Sequence, residues 1–260
     1  MAAPSELASQ ADALRALHHA DRPLVLANAW DARSARLVVA AGFPVVATSS
    51  GALVTSLGYT DGSNVPADDA FAALARIAGA VEVPVTADIE DGYGLSADEL
   101  AGRLLDAGAV GCNLEDSDHG PGDAPLVPAE QFAERVAALH AAAVARGVDL
   151  VINARVDVHL SQAGPPEGRF DEALRRSRLY LEAGAACVYP ITVSDEETAR
   201  ALVAGTPGPV NLLARAEPSD VARLASFGVA RISVGSGLSR VADQRVSEVA
   251  EQLARALDAP

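Results

Sequence analysis

Residues 83–108 read VPVTADIEDGYGLSADELAGRLLDAG, and this stretch holds one complete unit of the pattern that decides the fold. The apolar run at 83–88 predicts a buried strand, and the amphipathic segment at 97–107 predicts a helix that begins after the capping residue Ser96. Gly108 then ends the helix directly before another apolar run. The stretch therefore predicts a strand, a loop, a helix and a return to a further strand.

This unit recurs along the whole chain, and four of its helix-to-strand joints repeat the pair Ala-Gly or Phe-Gly. Eight strand-like runs alternate with helical patterns, which predicts an α/β fold with a parallel (β/α)8 barrel (a TIM barrel). We expect one domain over residues 1–260, with an N-terminal helix near 4–20 and a C-terminal helix near 239–257. The predicted strands cover 24–28, 44–48, 83–88, 109–115, 149–155, 186–190, 210–213 and 230–234.

The composition excludes several classes of function. A formal net charge of −15 argues against nucleic-acid binding, which needs a basic surface. The sequence contains no lysine, so Schiff-base chemistry and a lysine general base are excluded. No apolar run approaches the length of a membrane span, and the cytoplasm is the default expectation.

Acidic residues follow the predicted strands at the end where a barrel of this kind carries its active site. Residues two apart on a strand face the same way, so Asp88 and Glu90 should project together. Glu115 ends the next strand, Asp61 lies in an earlier loop, and Arg155 ends the fifth strand. Carboxylate oxygens are the ligands that Mg²⁺ prefers, so the pattern predicts a metal site that faces an arginine.

In this order and at these strand ends, the motifs resemble those of the isocitrate lyase / phosphoenolpyruvate mutase superfamily. The resemblance covers nearly the whole chain. The motifs that carry it are Ser50-Gly51-Ala52, Asp61, Asp88-x-Glu90-x-Gly92-Tyr93-Gly94, Glu115-Asp116 and Ala154-Arg155-x-Asp157.

The resemblance implies a metal and a substrate class. Asp88 would be the main direct ligand of Mg²⁺, or of Mn²⁺, while Asp61, Glu90 and Glu115 would act largely through ordered waters. Members of the superfamily act on small anionic α-oxoacids through a metal-stabilised enolate. They are often homo-oligomers, dimers or tetramers, in which the last helix is exchanged between subunits.

The same resemblance assigns the remaining substrate contacts. The backbone N–H groups of Ser50, Gly51 and Ala52 would face an anionic group, and Arg155 would hold the substrate carboxylate. Asn211 is equally compatible with a substrate contact and with a structural role at a strand end. For Arg155 the alternative is a structural ion pair with Asp157 or with another acid at the barrel mouth.

The loop after the fourth strand departs from the superfamily patterns. Residues 117–125 contain neither the lyase cysteine nor the lysine and asparagine of the mutases. His119 is the only histidine in this loop, and it is either an exposed bystander or a replacement acid/base that works beside Arg155 and Glu115. We therefore expect C–C cleavage or decarboxylation of an oxaloacetate-like acid.

Three alternatives remain open at this point. The first is C–P chemistry on phosphonopyruvate or phosphoenolpyruvate, as a mutase or a hydrolase. The second is a catalytically inactive homologue that binds oxoacids. The third is a sugar-phosphate enzyme that uses Gly235-Ser236-Gly237, because many barrels bind phosphate after the eighth strand.

Overall fold

The computed structural model describes residues 3–60, 65–117, 126–193 and 195–256. Strands and helices alternate along these ranges, as the sequence predicts. The strands are β1 (Leu24–Leu26), β2 (Asn28–Ala29), β3 (Val46–Thr48), β4 (Val85–Asp88), β5 (Gly111–Glu115), β6 (Val151–Val156), β7 (Cys187–Pro190), β8 (Asn211–Leu213) and β9 (Arg231–Ser233).

Ten α-helices connect and flank these strands within the described ranges. The helices predicted near 4–20, 97–107 and 239–257 match the observed bounds within a few residues. The helices are α1 (Pro4–Leu17), α2 (Ala32–Ala40), α3 (Ser50–Ser56), α4 (Ala67–Ala78), α5 (Ala97–Asp106), α6 (Ala129–Val144), α7 (Arg169–Glu182), α8 (Glu196–Gly205), α9 (Pro218–Ala225) and α10 (Gly237–Ala256).

The strands pair in parallel and in chain order around a ring. Strands β2 to β7 form one continuous series, while β9 pairs with both β8 and β1. A bridge between Val188 and Val210 links the two series on one side. On the other side only Ala27 separates β1 from β2, so these two act as one barrel strand. The predicted (β/α)8 barrel is confirmed.

Helix α1 closes the amino-terminal end of the barrel. A Cβ atom on Gly111, the first residue of β5, would lie 2.8 Å from Leu14 Cδ2, so the helix packs directly onto the strand ends. Arg15 of the same helix donates to the Asp149 carboxylate at 2.7 Å. With this end covered by α1, the carboxyl ends of the strands are left as the open face.

Apolar burial is continuous from the barrel interior to the inner faces of the helices, and it is mostly aliphatic. Ser96 caps α5 as predicted, since its side chain accepts a hydrogen bond from the Glu99 N–H at 3.3 Å. Gly108 has φ +88°, the left-handed conformation expected where a helix turns into a strand. In the described ranges we find no helix with the length and hydropathy needed to cross a bilayer.

Candidate active site

A cavity of about 580 Å³ opens at the carboxyl ends of the strands. Three of the predicted metal ligands, Asp88, Glu90 and Glu115, line it together with Arg155. The fold places these side chains there because Asp88 and Glu115 are the last residues of β4 and β5. The sequence therefore predicted correctly which strand ends meet at this face.

Ser50 and Asn113 hold the carboxylate of Asp88 from two sides. The Oδ2 atom accepts from the Ser50 N–H at 2.9 Å and from the Ser50 hydroxyl at 2.8 Å. The Oδ1 atom accepts a longer bond, 3.3 Å, from the Asn113 amide. These donors fix the carboxylate, and they leave Oδ1 as the less saturated of its two oxygens.

The buried interior of the barrel sets the orientation of the Asn113 amide. Its oxygen accepts from Asn153 Nδ2 at 2.8 Å and from Arg231 Nη2 at 3.0 Å. Because two donors converge on the oxygen, the amide nitrogen must face Asp88. Arg231 is fully buried beneath the cavity, and this burial lowers the pKa of its guanidinium.

Arg155 is already paired with two carboxylates. Its Nε and Nη2 atoms donate to the two oxygens of Asp157 at 2.6 and 2.7 Å, and its Nη1 atom contacts Glu115. Burial opposes the charged form of Arg155, but Glu115 and Asp157 together raise its pKa. The structural ion pair with Asp157, one of the two alternatives for Arg155, is thus present. Arg155 nevertheless lines the cavity, as does Glu115.

A second charged cluster lies beneath Arg155, and the sequence did not reveal it. Asp116 accepts from the Asp157 N–H at 2.8 Å, from Arg176 Nη1 at 2.8 Å and from the Tyr180 hydroxyl at 2.7 Å. Arg176 and Tyr180 lie one helical turn apart on α7, so an (i, i+4) spacing of polar residues on a buried helix face was the available signal. The cluster positions the Asp157 backbone and hence the partner of Arg155.

Glu90 reaches the cavity by a different route from the one predicted. Strand β4 ends at Asp88, and Glu90 has φ +51° in the turn that follows. Its backbone oxygen accepts from the Glu115 N–H at 2.9 Å, which ties this turn to β5. Burial raises the pKa of the neighbouring Tyr93, and Glu90, Asp88 and Glu115 raise it further. Carboxylate charge is therefore concentrated at this point.

Some of the remaining predicted site residues line the cavity, others are buried away from it, and two lie outside the described part of the chain. Ser50 and Gly51 line the cavity as the first residues of α3, a short helix that the sequence did not predict. Ala52 is buried, and Asn211 is fully buried, bonded to the Ser233 hydroxyl at 3.0 Å, and is not among the lining residues. Asp61 and His119 lie outside the described residues.

The donor set at this wall fits a magnesium ion that keeps much of its water. Among the described residues, no three His, Cys, Asp or Glu side chains converge as a ready cage. Mg²⁺ does not need such a cage, because it commonly binds through one or two carboxylates and retains several waters. Asp88, with Glu90 and Glu115 on the same wall, supplies the hard oxygen donors for this mode of binding.

The structure adds cavity residues that the sequence had not singled out as site residues. They lie on β2, on β8 and the segment after it, on α9 and at the start of α10, and Leu213 among them is apolar. The main additions are Asn28, Leu213, Arg215, Asp220 and Arg240. Ser236 also lines the cavity, and it belongs to the Gly235-Ser236-Gly237 segment named above as a possible phosphate site.

Comparison with known proteins agrees with this geometry. A family model described as phosphoenolpyruvate phosphomutase matches residues 14–254. A Mycobacterium tuberculosis protein of uncharacterised function is 34% identical over 221 residues, which are 85% of this chain and 80% of that protein. The oxaloacetate decarboxylase of Ectopseudomonas mendocina is 31% identical over 230 residues, or 84% of this chain and 75% of the enzyme.

A solved structure of similar fold carries a ligand and a metal. It is a phosphonopyruvate hydrolase in complex with oxalate and Mg²⁺, with a TM-score of 0.83 and 28% sequence identity. The match covers 95% of this chain and 87% of that one.

Proposed function

Because the chain belongs to the phosphoenolpyruvate phosphomutase family, as its strand-end motifs indicated, we propose that it is a magnesium-dependent carbon–carbon lyase. Its substrate is a small anionic α-oxoacid, and its reaction is the decarboxylation or C–C cleavage of an oxaloacetate-like acid. The similarity to an oxaloacetate decarboxylase over 84% of the chain supports this reaction. The similarity to a hydrolase complex that contains Mg²⁺ supports the metal.

The observation that carries the proposal is the way Asp88 is held. Three donors from Ser50 and Asn113 fix its carboxylate at the cavity, on the same wall as Glu90 and Glu115. In our proposal Asp88 is the direct ligand, and Glu90, Glu115 and Asp61 hold the waters of the ion. When bound, Mg²⁺ acts as a Lewis acid toward the oxygens of the oxoacid.

The residues of the chain then perform the remaining tasks. Ser50 and Gly51 border the place where the substrate enters, and Arg155 offers its guanidinium edge to a substrate carboxylate in exchange for Glu115. In decarboxylation the C–C bond to one carboxylate breaks and this carboxylate leaves as CO₂. The bonding electrons stay on the adjacent carbon, which then takes up a proton. We assign the delivery of this proton to His119 as a proposal.

Replacement of Asp88 tests this function directly. We expect Asp88→Ala to abolish both Mg²⁺ binding, measured by calorimetry, and turnover of oxaloacetate to pyruvate. Asp98→Ala removes a carboxylate from the exposed face of α5 and serves as the control, with both quantities unchanged. Turnover by Asp88→Ala at the wild-type rate would refute the proposal. Tight Mg²⁺-dependent oxoacid binding without any product would instead identify an oxoacid-binding protein.

C–P chemistry is the second candidate, favoured by the similarity to a phosphonopyruvate hydrolase over 95% of this chain. Incubation with phosphonopyruvate and Mg²⁺ followed by phosphorus NMR separates the two. Release of inorganic phosphate, with no conversion of oxaloacetate, would replace the decarboxylase assignment by a hydrolase.

We also propose that the chain forms a homo-oligomer, a dimer or a tetramer, through α10. This helix exposes Val241, Val246 and Leu253, residues that are 56%, 69% and 67% accessible. Apolar side chains spaced along one exposed helix favour contact with a second copy. Light scattering after size-exclusion chromatography tests this, and Val246→Asp should shift the mass toward that of a monomer.

A further inference from the structure

Three arginines line the cavity, but their charges are not equally available to a substrate. Arg155 is paired with Glu115 and Asp157, so in the proposed function it reaches a substrate carboxylate only after Glu115 gives way. Arg240 forms no ion pair with any residue in the described part of the chain, and the closest carboxylate oxygen to the Arg215 guanidinium there is Asp220 Oδ2, 3.8 Å from Nε. The positive charge that is available without breaking a close ion pair therefore lies mainly on Arg215 and Arg240.

These two arginines lie across the barrel from the carboxylates of the proposed metal site. With β1 and β2 counted as one strand, β8 is diametrically opposite β4 and β9 is opposite β5. Asp88 and Glu115 end β4 and β5, whereas Arg215 follows β8 and Arg240 follows β9. The cavity thus has an acidic wall, suited to a cation, and a basic wall facing it.

Packing holds the backbone of the basic wall in place. Asp220 Oδ2 accepts from the Arg215 N–H at 2.8 Å, which fixes the segment after β8. A Cβ atom on Gly237 would lie 2.9 Å from the Cβ of Ala216, so the start of α10 is pressed against this same segment. The Ser236 hydroxyl bonds to the Ser49 hydroxyl at 2.7 Å, which connects the basic wall to the segment before α3.

We propose that Arg215 and Arg240 form a second anion-binding subsite, remote from the metal, and that they select oxoacids carrying an anionic group at each end. This inference rests on the proposed function, because the metal-binding wall would anchor the α-oxoacid end. A dicarboxylate such as oxaloacetate can bind to the acidic wall through the metal and to the basic wall through its second carboxylate. Pyruvate and oxalate can bind only through the metal, because neither carries an anionic group remote from it.

The test compares Arg215→Gln, Arg240→Gln and the double variant with wild type in the presence of Mg²⁺. Charge-assisted contacts at exposed side chains are modest, so we expect KM for oxaloacetate to rise about 5–10-fold in each single variant. The double variant should raise it about 30-fold or more, with kcat changed less than threefold. The Kd of oxalate, measured by calorimetry, should stay within twofold of wild type. Arg245→Gln, an exposed arginine of α10 outside the cavity, is the matched control.

The outcomes separate the subsite from the function on which it rests. If wild type converts oxaloacetate and the double variant has the KM of Arg245→Gln, the subsite is refuted while the lyase assignment stands. Equal weakening of oxalate and oxaloacetate also refutes it, because the arginines would then act on the charge of the whole cavity. If wild type binds neither acid with Mg²⁺, both proposals fall.

Discussion

Ser50 gives both of its donors to a single oxygen of Asp88, the N–H at 2.9 Å and the hydroxyl at 2.8 Å. The backbone N–H expected to face a substrate anion is thus used, in this structure, to hold the proposed metal ligand. Ser50 sits at the start of α3, and Asp88 is the last residue of β4. The pair fastens the two strand-end segments on which the metal site depends.

Loss of the Ser50 hydroxyl should therefore weaken metal binding. Residues that orient a metal ligand typically change affinity 10–100-fold when removed, so we expect Ser50→Ala to raise the Kd of Mg²⁺ about 10-fold. Calorimetry of the folded protein measures this. Ser56→Ala removes an exposed serine of the same helix whose hydroxyl bonds only backbone oxygens, and it should leave the Kd unchanged. An unaltered Kd in Ser50→Ala would show that the backbone N–H alone fixes Asp88.

Two neighbouring arginines on α7 should differ widely in their effect on stability. Arg176, with a side chain 7% exposed, neutralises the buried Asp116, whereas Arg175, 48% exposed, pairs with surface acids. Removing one partner of a buried pair leaves an uncompensated charge, so Arg176→Met should lower the free energy of unfolding by about 3–5 kcal/mol. Arg175→Met should lower it by about 1 kcal/mol or less.

Urea denaturation of the two arginine variants at neutral pH measures both values. Similar losses for the two would mean that Asp116 is adequately held by Tyr180 and by the Asp157 N–H alone. A loss restricted to Arg176→Met would identify this cluster as a main support of the barrel beneath Arg155.

The barrel was predictable because its signals are local. Each apolar run and each helix-ending glycine lies within a few residues of the element that it defines, and the active-site face follows from strand direction. The short helix α3 was missed because its apolar, β-branched residues carry no helical period over seven positions. Contacts between neighbouring strand ends, such as that of Ser50 with Asp88, position this segment, and these two residues are separated by 38 residues in sequence.

The polar connections of the site were less predictable for the same reason. Asp88 was identified from its strand end, but the roles of Asn113 and Arg231 depend on atoms that meet inside the barrel, 118 residues apart. A weak signal was present, since Asn113, Asn153, Asn211 and Arg231 each interrupt an apolar strand with a polar side chain. Because these residues are far apart in the sequence, the sequence does not show which of them are in contact.

The two glycines of the Asp88-x-Glu90-x-Gly92-Tyr93-Gly94 motif offer a matched pair of substitutions. Gly92 and Gly94 both have positive φ, +85° and +69°, so alanine is strained at either position. At Gly92 a Cβ atom would also lie 2.9 Å from Leu100 Cδ2 and 2.9 Å from Arg135 Nη2, whereas nothing lies within 4 Å at Gly94. We expect Gly94→Ala to cost about 1 kcal/mol and Gly92→Ala about 2–4 kcal/mol.

Thermal and urea unfolding distinguish the two glycine variants. Equal losses would show that backbone strain dominates and that Leu100 yields to the added methyl group. A larger loss at Gly92 would show that the turn carrying Glu90 is held against α5 by close packing.

His18 at the end of α1 should make the stability depend on pH. Burial, followed by the nearby charge of Arg231, lowers the pKa of His18 from 6.5 to about 4. The folded state therefore binds fewer protons than the unfolded state between these values. The stabilising contribution of the neutral form is complete above pH 6.5 and is lost as the pH falls toward 4.

The pKa difference of His18 sets the size of this effect, and the neighbouring histidine provides the control. A difference of this size corresponds to a loss of about 3 kcal/mol between pH 6.5 and pH 4. In His18→Phe this part of the pH dependence should disappear, while His19→Phe, at the adjacent exposed position, should keep it. Free energies of unfolding from urea titrations at both pH values measure the difference. Parallel pH profiles for wild type and His18→Phe would mean that the imidazole finds a proton acceptor in the folded state.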